Sequence, residues 1–298
     1  MSDRAAQILG LVGSARRWGN SELMVRQILR GAQEEGASTR MIRLTSLSLA
    51  SCTGCMRCVI GAGSCRIEDD MEWLVSTIEG VDGLVLAAPT YFLGPAAVIK
   101  LILDRLLMVT GQVRDDLPEP RPAVTVVTAG LEDWRGVTVP YLNALVAAFG
   151  FLPIECLSGI APGPGEVLLN EGLMASALAA GQRLGRGELV PAPVAKNVCP
   201  VCRCESFTMK GNRAVCPICA SEAVLQFNGR DITLAFEPAP GSGHRWTPEA
   251  LRKHMVDWVM ATGPRFMERR AEIKERRRPF RRTEAGWLGP PYDGTPAT

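Results

Sequence analysis

Gln7-Ile8-Leu9-Gly10-Leu11-Val12-Gly13-Ser14-Ala15-Arg16-Arg17-Trp18-Gly19-Asn20-Ser21 is the stretch on which the fold turns. A five-residue apolar run, Ile8 to Val12, stops at a glycine. A loop of short hydroxyl and amide side chains then opens a segment whose apolar residues recur at helical spacing. The same alternation continues down the chain. Strand-length runs are expected at 7–12, 39–44, 83–88, 123–128 and 154–160, and helices at about 20–36, 69–79, 95–110, 137–149 and 166–185. Strands that alternate with helices predict a parallel sheet covered on both faces, here an α/β, doubly wound, five-stranded domain over 1–186.

The composition agrees with a folded chain. Of 298 residues 47% are hydrophobic and 21% charged, which supports a buried core and excludes global disorder. The net charge of +2 gives no polyelectrolyte character, so nucleic acid is not expected as a partner. No run of about 18 apolar residues occurs, because Asp82, Pro89, Pro95, Lys100 and Asp104 break the most apolar region, and no membrane span is expected. The first apolar run has the length of a strand and not of an export signal; a cytoplasmic protein with reduced thiols is expected.

Beyond residue 186 the character changes. Pro191, Pro193 and Pro200 mark a linker into a small module over 187–240, with strands expected at 223–228 and 231–236 around a turn at Asn228-Gly229. A third segment, 241–298, opens with a helix at Thr247-Pro248-Glu249, where Thr247 serves as cap. Leu251, Met255, Trp258, Val259 and Thr262 share one face and Gly263-Pro264 is expected to interrupt the helix. Eleven Lys or Arg against five Asp or Glu between residues 249 and 282 give this segment a net +6, and a loose tail is expected from Gly286.

The loop Gly13 to Ser21 lies between a strand and a helix N-terminus, where free N–H groups and the helix dipole favour an anion. It has neither the lysine of a Walker loop nor the glycine spacing of a dinucleotide fingerprint. A single phosphate, as in FMN, suits it; the alternative is a purely structural turn. Pro89-Thr90-Tyr91-Phe92 and Thr128-Ala129-Gly130 follow the third and fourth strands. In a parallel sheet their loops converge with the first, so that one can grip a phosphate and the others flank a flat ring.

Two cysteine clusters contain eight of the ten cysteines. Cys52, Cys55, Cys58 and Cys65 lie just after the second strand, and three thiols at intervals of three fit several corners of a 4Fe-4S cubane, with Gly61 and Gly63 turning the chain back toward the fourth. Zinc, or a set of structural cysteines, is the competing reading. Cys199-Pro-Val-Cys202 and Cys216-Pro-Ile-Cys219 read as two knuckles of a zinc ribbon, with Cys204 a spare thiol and a rubredoxin-like iron the rival. Cys156 reads as a buried hydrophobe. The two histidines, His244 and His254, are both C-terminal and leave the first domain no histidine-based catalytic triad.

The Gly13–Ser21 loop, together with Ala87-Ala-Pro-Thr-Tyr-Phe92 and Lys100-Leu-Ile-Leu-Asp-Arg105, resembles the flavodoxin-like NAD(P)H-dependent FMN reductases. The cysteine spacing and the following Asp69-Asp70-Met71 are similar to their iron-sulfur flavoprotein branch. Over about residues 6–160 this resemblance implies strand order 2-1-3-4-5 with FMN at the first and third strands. Ser14, Arg16, Asn20 and Ser21 would hold its phosphate; Pro89, Thr90, Tyr91 and Phe92 would line its ring, with Thr128 and Gly130 beside it. Ala15 replaces the proline usual in that family. The resemblance also implies a homodimer or homotetramer, with the cluster of one subunit near the flavin of another, and ferredoxin or NAD(P)H as electron donor. The expected function is an oxidoreductase that passes electrons between a 4Fe-4S cluster and FMN, without a side-chain nucleophile or general base. The alternatives are a quinone or flavin reductase with structural cysteines and a non-catalytic redox sensor or scaffold.

Overall fold

The computed structural model describes residues 4–60, 64–110, 119–236 and 243–282. The expected turn at Gly61 and Gly63 and the tail from Gly286 lie outside the described residues. The first part of the chain runs β1 (Gln7–Val12), α1 (Asn20–Glu34), β2 (Ser38–Arg43), α2 (Arg57–Ile60), α3 (Met71–Glu79), β3 (Gly83–Tyr91), β4 (Gly94–Pro95), α4 (Ala97–Asp104), α5 (Leu107–Thr110), β5 (Arg121–Ala129), α6 (Thr138–Ala148), β6 (Phe151–Ile160) and α7 (Glu171–Gly185). Five strands pair in parallel in the order β2-β1-β3-β5-β6, the order expected for five strands counted in succession. The two-residue β4 is an addition, paired antiparallel with the end of β3.

Successive residues of a strand point to opposite faces, and β1 shows what this does in a sheet covered on both sides. Ile8 and Val12 join Val25, Ile28 and Leu184 in a core under α1 and α7. Leu9 and Leu11 join Leu74, Ile99 and Leu145 in a second core under α3, α4 and α6. Helices α1 and α7 approach to backbone contact: a methyl group on Gly181 would lie 1.9 Å from the Ile28 carbonyl oxygen, and one on Gly31 2.1 Å from that of Leu178.

The helix expected over 95–110 is two helices, because the chain turns at Arg105 and Leu106 between α4 and α5. The small module forms an antiparallel sheet in the order β10-β9-β8-β7, from β7 (Thr208–Lys210), β8 (Arg213–Val215), β9 (Glu222–Phe227) and β10 (Ile232–Phe236). The β9–β10 hairpin turns where expected, and the Asn228 Oδ1 accepts from the Arg230 and Asp231 N–H groups. β7 and β8 are only three residues each, too short to show alternation in sequence.

In the last segment Thr247 caps α8 (Pro248–Lys253) by accepting from the Ala250 N–H at 3.1 Å. The chain then widens into a π-helical turn, His254–Met260, and continues as α9 (Thr262–Arg276). Gly263 and Pro264 therefore do not interrupt a helix; they lie in the first turn of α9, where a missing N–H costs nothing, and the register changes at Ala261. Met255 and Val259 pack against Val59, Met56, Cys58 and Leu107 of the first cysteine loop and its surroundings. Trp258, expected on the packed face, is 61% exposed, with the Arg265 guanidinium over its ring. Widening the helix rotates it off the apolar stripe. Among the described residues no helix is long and apolar enough to cross a membrane.

Because the α1–α7 contact has no room for a side chain, Gly181→Ala is expected to lower unfolding stability by about 1–3 kcal/mol. Urea denaturation of the variant against the parent checks this, and an unchanged midpoint would mean that the helices can part freely.

Candidate cofactor cleft and cysteine centres

At the carboxyl edge of the sheet the loops after β1, β3, β5 and β6 enclose a cleft of ≈ 640 Å³ including its open mouth. Nine of the ten expected residues line it: Ser14, Arg16, Asn20, Ser21, Pro89, Thr90, Tyr91, Thr128 and Gly130. Phe92 does not. It is 97% exposed at φ +50°, and with Leu93 at φ +67° it forms the tight turn between β3 and β4, which carries its ring away from the cleft.

The N-cap of α1 is Gly19, which has no side chain to cap the helix, so the first-turn amides of Asn20 and Ser21 are available to an anion. The Asn20 side chain is engaged elsewhere. Its Nδ2 donates to the Ala161 and Gly163 carbonyls at 3.0 and 2.9 Å, and its Oδ1 accepts from the Gly165 N–H at 2.8 Å. Asn20 thus ties the loop after β6 to the first loop and closes one wall of the cleft. Ser21 and Thr128 are joined hydroxyl to hydroxyl at 2.8 Å. The Thr90 hydroxyl meets that of Thr138 at 2.8 Å and fixes the end of β3 against α6.

Glu22 and Arg43 were not foreseen. Glu22 is only 3% exposed, in the first turn of α1, where a bare carboxylate would repel an anion. Its oxygens accept from Arg43 at 2.5 Å, Arg26 at 2.9 Å and the Trp18 N–H at 2.8 Å. Burial pushes its carboxyl up, and the bonds from Arg43, Trp18 and Arg26 outweigh it and hold the group below the usual range. Arg43 also donates to the Ser14 and Arg16 carbonyls, so it clamps the loop from below. An acid three residues after Gly19, in the first turn of the helix that the glycine loop opens, was the available signal.

Cys52, Cys55, Cys58 and Cys65 line a second hollow, together with Arg66, Arg105, Leu107 and Met108. Cys52 and Cys55 are exposed, while Cys58 and Cys65 are half-buried against the core. Burial, and then the neighbouring Cys65 thiol, push the Cys58 thiol up. The loop is fastened at its ends. Asp70 accepts from the Ser48 N–H at 2.7 Å and Asp69 from the Ala50 N–H at 2.8 Å. Arg105, its side chain 2% exposed, donates to Asp69, to the Ala50 carbonyl at 3.3 Å and to the Cys65 Sγ at 3.4 Å. Burial would push the Asp69 carboxyl up, but the Arg105 bond and two backbone N–H groups hold it below the usual carboxylate range.

In the small module the Sγ atoms of Cys199, Cys202, Cys216 and Cys219 all lie within 4.8 Å of one another, buried, as one tetrahedral ion requires. It is the sole such thiol group among the described residues. Hydrogen bonds from Cys199 and Cys202 pull the Cys216 thiol down, while its neighbours push Cys202 up. Cys204, also buried, uses its carbonyl to accept from the Cys199 N–H at 2.9 Å. Arg245 closes the second knuckle through the Cys219, Pro217 and Ile218 carbonyls. Cys156 is more than a buried hydrophobe. Its Sγ meets Thr125 and Asn143, and the Asn143 Nδ2 donates to the Cys202 carbonyl at 2.9 Å, which docks the module on α6.

Both buried carboxylates have depressed pKa values, so the stability they supply is complete above the unfolded-state pKa, about 4, and is lost as pH falls through the lower folded-state value. Glu22→Gln and Asp69→Asn are each expected to cost about 1–3 kcal/mol at pH 7. The deficit relative to the parent should shrink below pH 4, measured by urea denaturation across that range. A deficit that stays constant with pH would show that charge is irrelevant at these positions.

Residues 6–158 match the family described as NADPH-dependent FMN reductase, just over half of the chain. An iron-sulfur flavoprotein of Archaeoglobus fulgidus is 31% identical over 159 residues, 53% of this chain and 70% of that protein. One from Methanocaldococcus jannaschii is 37% identical over 99 residues, 33% of this chain and about half (51%) of that protein. A solved structure titled flavone reductase superposes with a TM-score of 0.73 at 21% identity and covers 95% of this chain and 99% of its own; at that identity the likeness is one of fold, and it extends through the small module. The match over the sheet and its carboxyl-edge loops, joined to the cysteine loop after β2, places the chain in the iron-sulfur flavoprotein branch of the flavodoxin-like FMN reductase family, as an FMN-dependent oxidoreductase.

Proposed function

We propose that this flavoprotein passes electrons between a 4Fe-4S cluster held by Cys52, Cys55, Cys58 and Cys65 and an FMN held in the carboxyl-edge cleft. The observation that carries the proposal is the presence, on one sheet, of a cleft at the carboxyl edge with a helix start that no side chain caps and of a loop whose four cysteines line one hollow. When bound, a flavin exchanges electrons singly or in pairs and an iron-sulfur cluster singly, which joins two-electron and one-electron partners.

The chain's own residues bind and orient. The Asn20 and Ser21 amides and the Ser14 and Arg16 side chains would receive the phosphate; Pro89, Thr90 and Tyr91 would flank the ring. Arg43 would offset the Glu22 charge beneath the phosphate. For the cluster, soft thiolate donors suit iron, and the buried Arg105 Nε, which lacks a partner among the described residues, fits a site whose acceptor is the inorganic sulfur. The Cys199–Cys219 set would hold zinc in a structural role, within a module spanning 187–240 that has little other core. Among the described residues the two proposed redox sites share no lining residue, which favours exchange between subunits of a homodimer or homotetramer. NAD(P)H or a ferredoxin-like protein would be the partner.

Anaerobically purified protein is expected to contain roughly four iron and four sulfide, with one FMN and one zinc, per chain. Zinc alone, with no sulfide, would leave a flavin reductase with structural cysteines. Cys55→Ala should abolish the broad charge-transfer absorption while the flavin bands survive, and loss of both would show that the sites are not separable. Asn20→Leu should weaken FMN retention about tenfold or more with iron unchanged, because the wall at 161–167 loses its tie. Unchanged affinity in a fluorescence titration would place the phosphate elsewhere.

A further inference from the structure

Arg105 stands at an unusual point in the fold. It ends α4, and the chain breaks there instead of continuing as one helix. Its side chain is almost fully buried among the residues that line the cysteine hollow. One guanidinium nitrogen donates to Asp69 and the Ala50 carbonyl, and another reaches the Cys65 Sγ at 3.4 Å, while Nε has no partner among the described residues. Simple fastening of the loop does not need this arrangement, because Asp69 and Asp70 already bind the loop's backbone N–H groups at 48 and 50. A neutral donor could serve the Ala50 carbonyl. What Arg105 adds is a fixed positive charge against one thiol ligand.

We propose that Arg105, balanced by Asp69, sets the reduction potential of the cluster in the Cys52–Cys65 loop. The inference rests on reading that loop as a 4Fe-4S site. Reduction adds one electron to the cluster; no bond is made or broken, and the thiolate-bound centre becomes more negative by one charge. A cation in contact with a ligand sulfur, screened from water by burial, stabilises the reduced form more than the oxidised form and raises the potential. Asp69 neutralises part of that effect. The two residues therefore act in opposite directions on one quantity, whereas a structural clamp would give both substitutions the same sign.

The test is an anaerobic dithionite titration followed by electron paramagnetic resonance on the whole chain, with iron, sulfide and FMN quantified in each preparation. Arg105→Gln is expected to lower the cluster midpoint by at least a tenfold change in the reduction equilibrium, 59 mV for a one-electron couple. Arg105→Lys, which keeps the charge, should retain most of the parent value. Asp69→Asn should raise it. The FMN potential should be unmoved in all three. Midpoints unchanged in variants that hold their cluster, or shifts of the same sign in Arg105→Gln and Asp69→Asn, overturn the inference. So does loss of the cluster from every variant when the parent is loaded, which would leave a clamp alone. Absence of iron and sulfide from the parent protein would instead remove the 4Fe-4S reading itself, and the inference with it.

Discussion

A charge withdrawn from water costs several kcal/mol unless another charge and a set of hydrogen bonds replace the solvent. Both loops to which the proposed chemistry is assigned are built on such a pair. Glu22 and Arg43 lie beneath the first loop, and Asp69 and Arg105 beneath the cysteine loop. In each the carboxylate accepts backbone N–H groups of the loop or its flank, and the arginine donates to backbone carbonyls of the same segment. Loops that would otherwise be free to rearrange are thus tied to rigid elements, with β2 supplying one arginine and the end of α4 the other. Breaking either partner leaves an uncompensated buried charge, so the loops and the sheet edge behave as one unit.

The sheet was legible because parallel strands buried on both faces are nearly continuous apolar runs, and β1 and β3 are of this kind. The cleft was legible for a related reason: a parallel sheet sends every strand-to-helix loop to the same edge, so Gly13–Ser21, Pro89–Tyr91 and Thr128–Gly130 had to converge once the strand order was known. Local pattern says nothing about partners distant in sequence. Asn20 is bound by carbonyls more than 140 residues away. Phe92 follows three cleft residues, yet a two-residue turn at positive φ reverses the chain and throws it outward. The ion pair of Asp69 with Arg105 spans 36 residues and two helices, so the residues could be singled out individually but not joined.

The small module shows how a metal-type centre can be both separate and docked. Its core is the five buried cysteines with Phe207, Phe236, Trp246 and a few aliphatic neighbours, too little apolar surface to fold on its own without a staple. Yet Cys202 presents its carbonyl to Asn143, Glu205 pairs with Arg135, and Arg203 reaches the Ala192 carbonyl in the linker. Arg135 also carries the carbonyl that accepts from Thr90, a cleft residue. Folding of the knuckles therefore bears on α6, and α6 on the floor of the cleft, through a short run of hydrogen bonds.

The C-terminal segment completes the setting of the cysteine loop. Met255 and Val259 lie on Met56, Cys58 and Val59, so one side of the loop faces apolar side chains while Cys52 and Cys55 remain exposed on the other. An apolar cover lowers the local dielectric, which penalises any gain of negative charge and drives the potential of the proposed cluster down. The proposed effect of the Arg105 guanidinium, which reaches the Cys65 Sγ, opposes that penalty. With cover and cation in place, electrons would enter the proposed cluster from the exposed Cys52–Cys55 side, and their energy would depend on the difference between two opposed terms. The π-helical widening at His254–Met260 belongs to this balance. It turns Trp258 outward and leaves the slimmer Met255 and Val259 against Met56, Cys58 and Val59, so the cover lies on one side of the loop only.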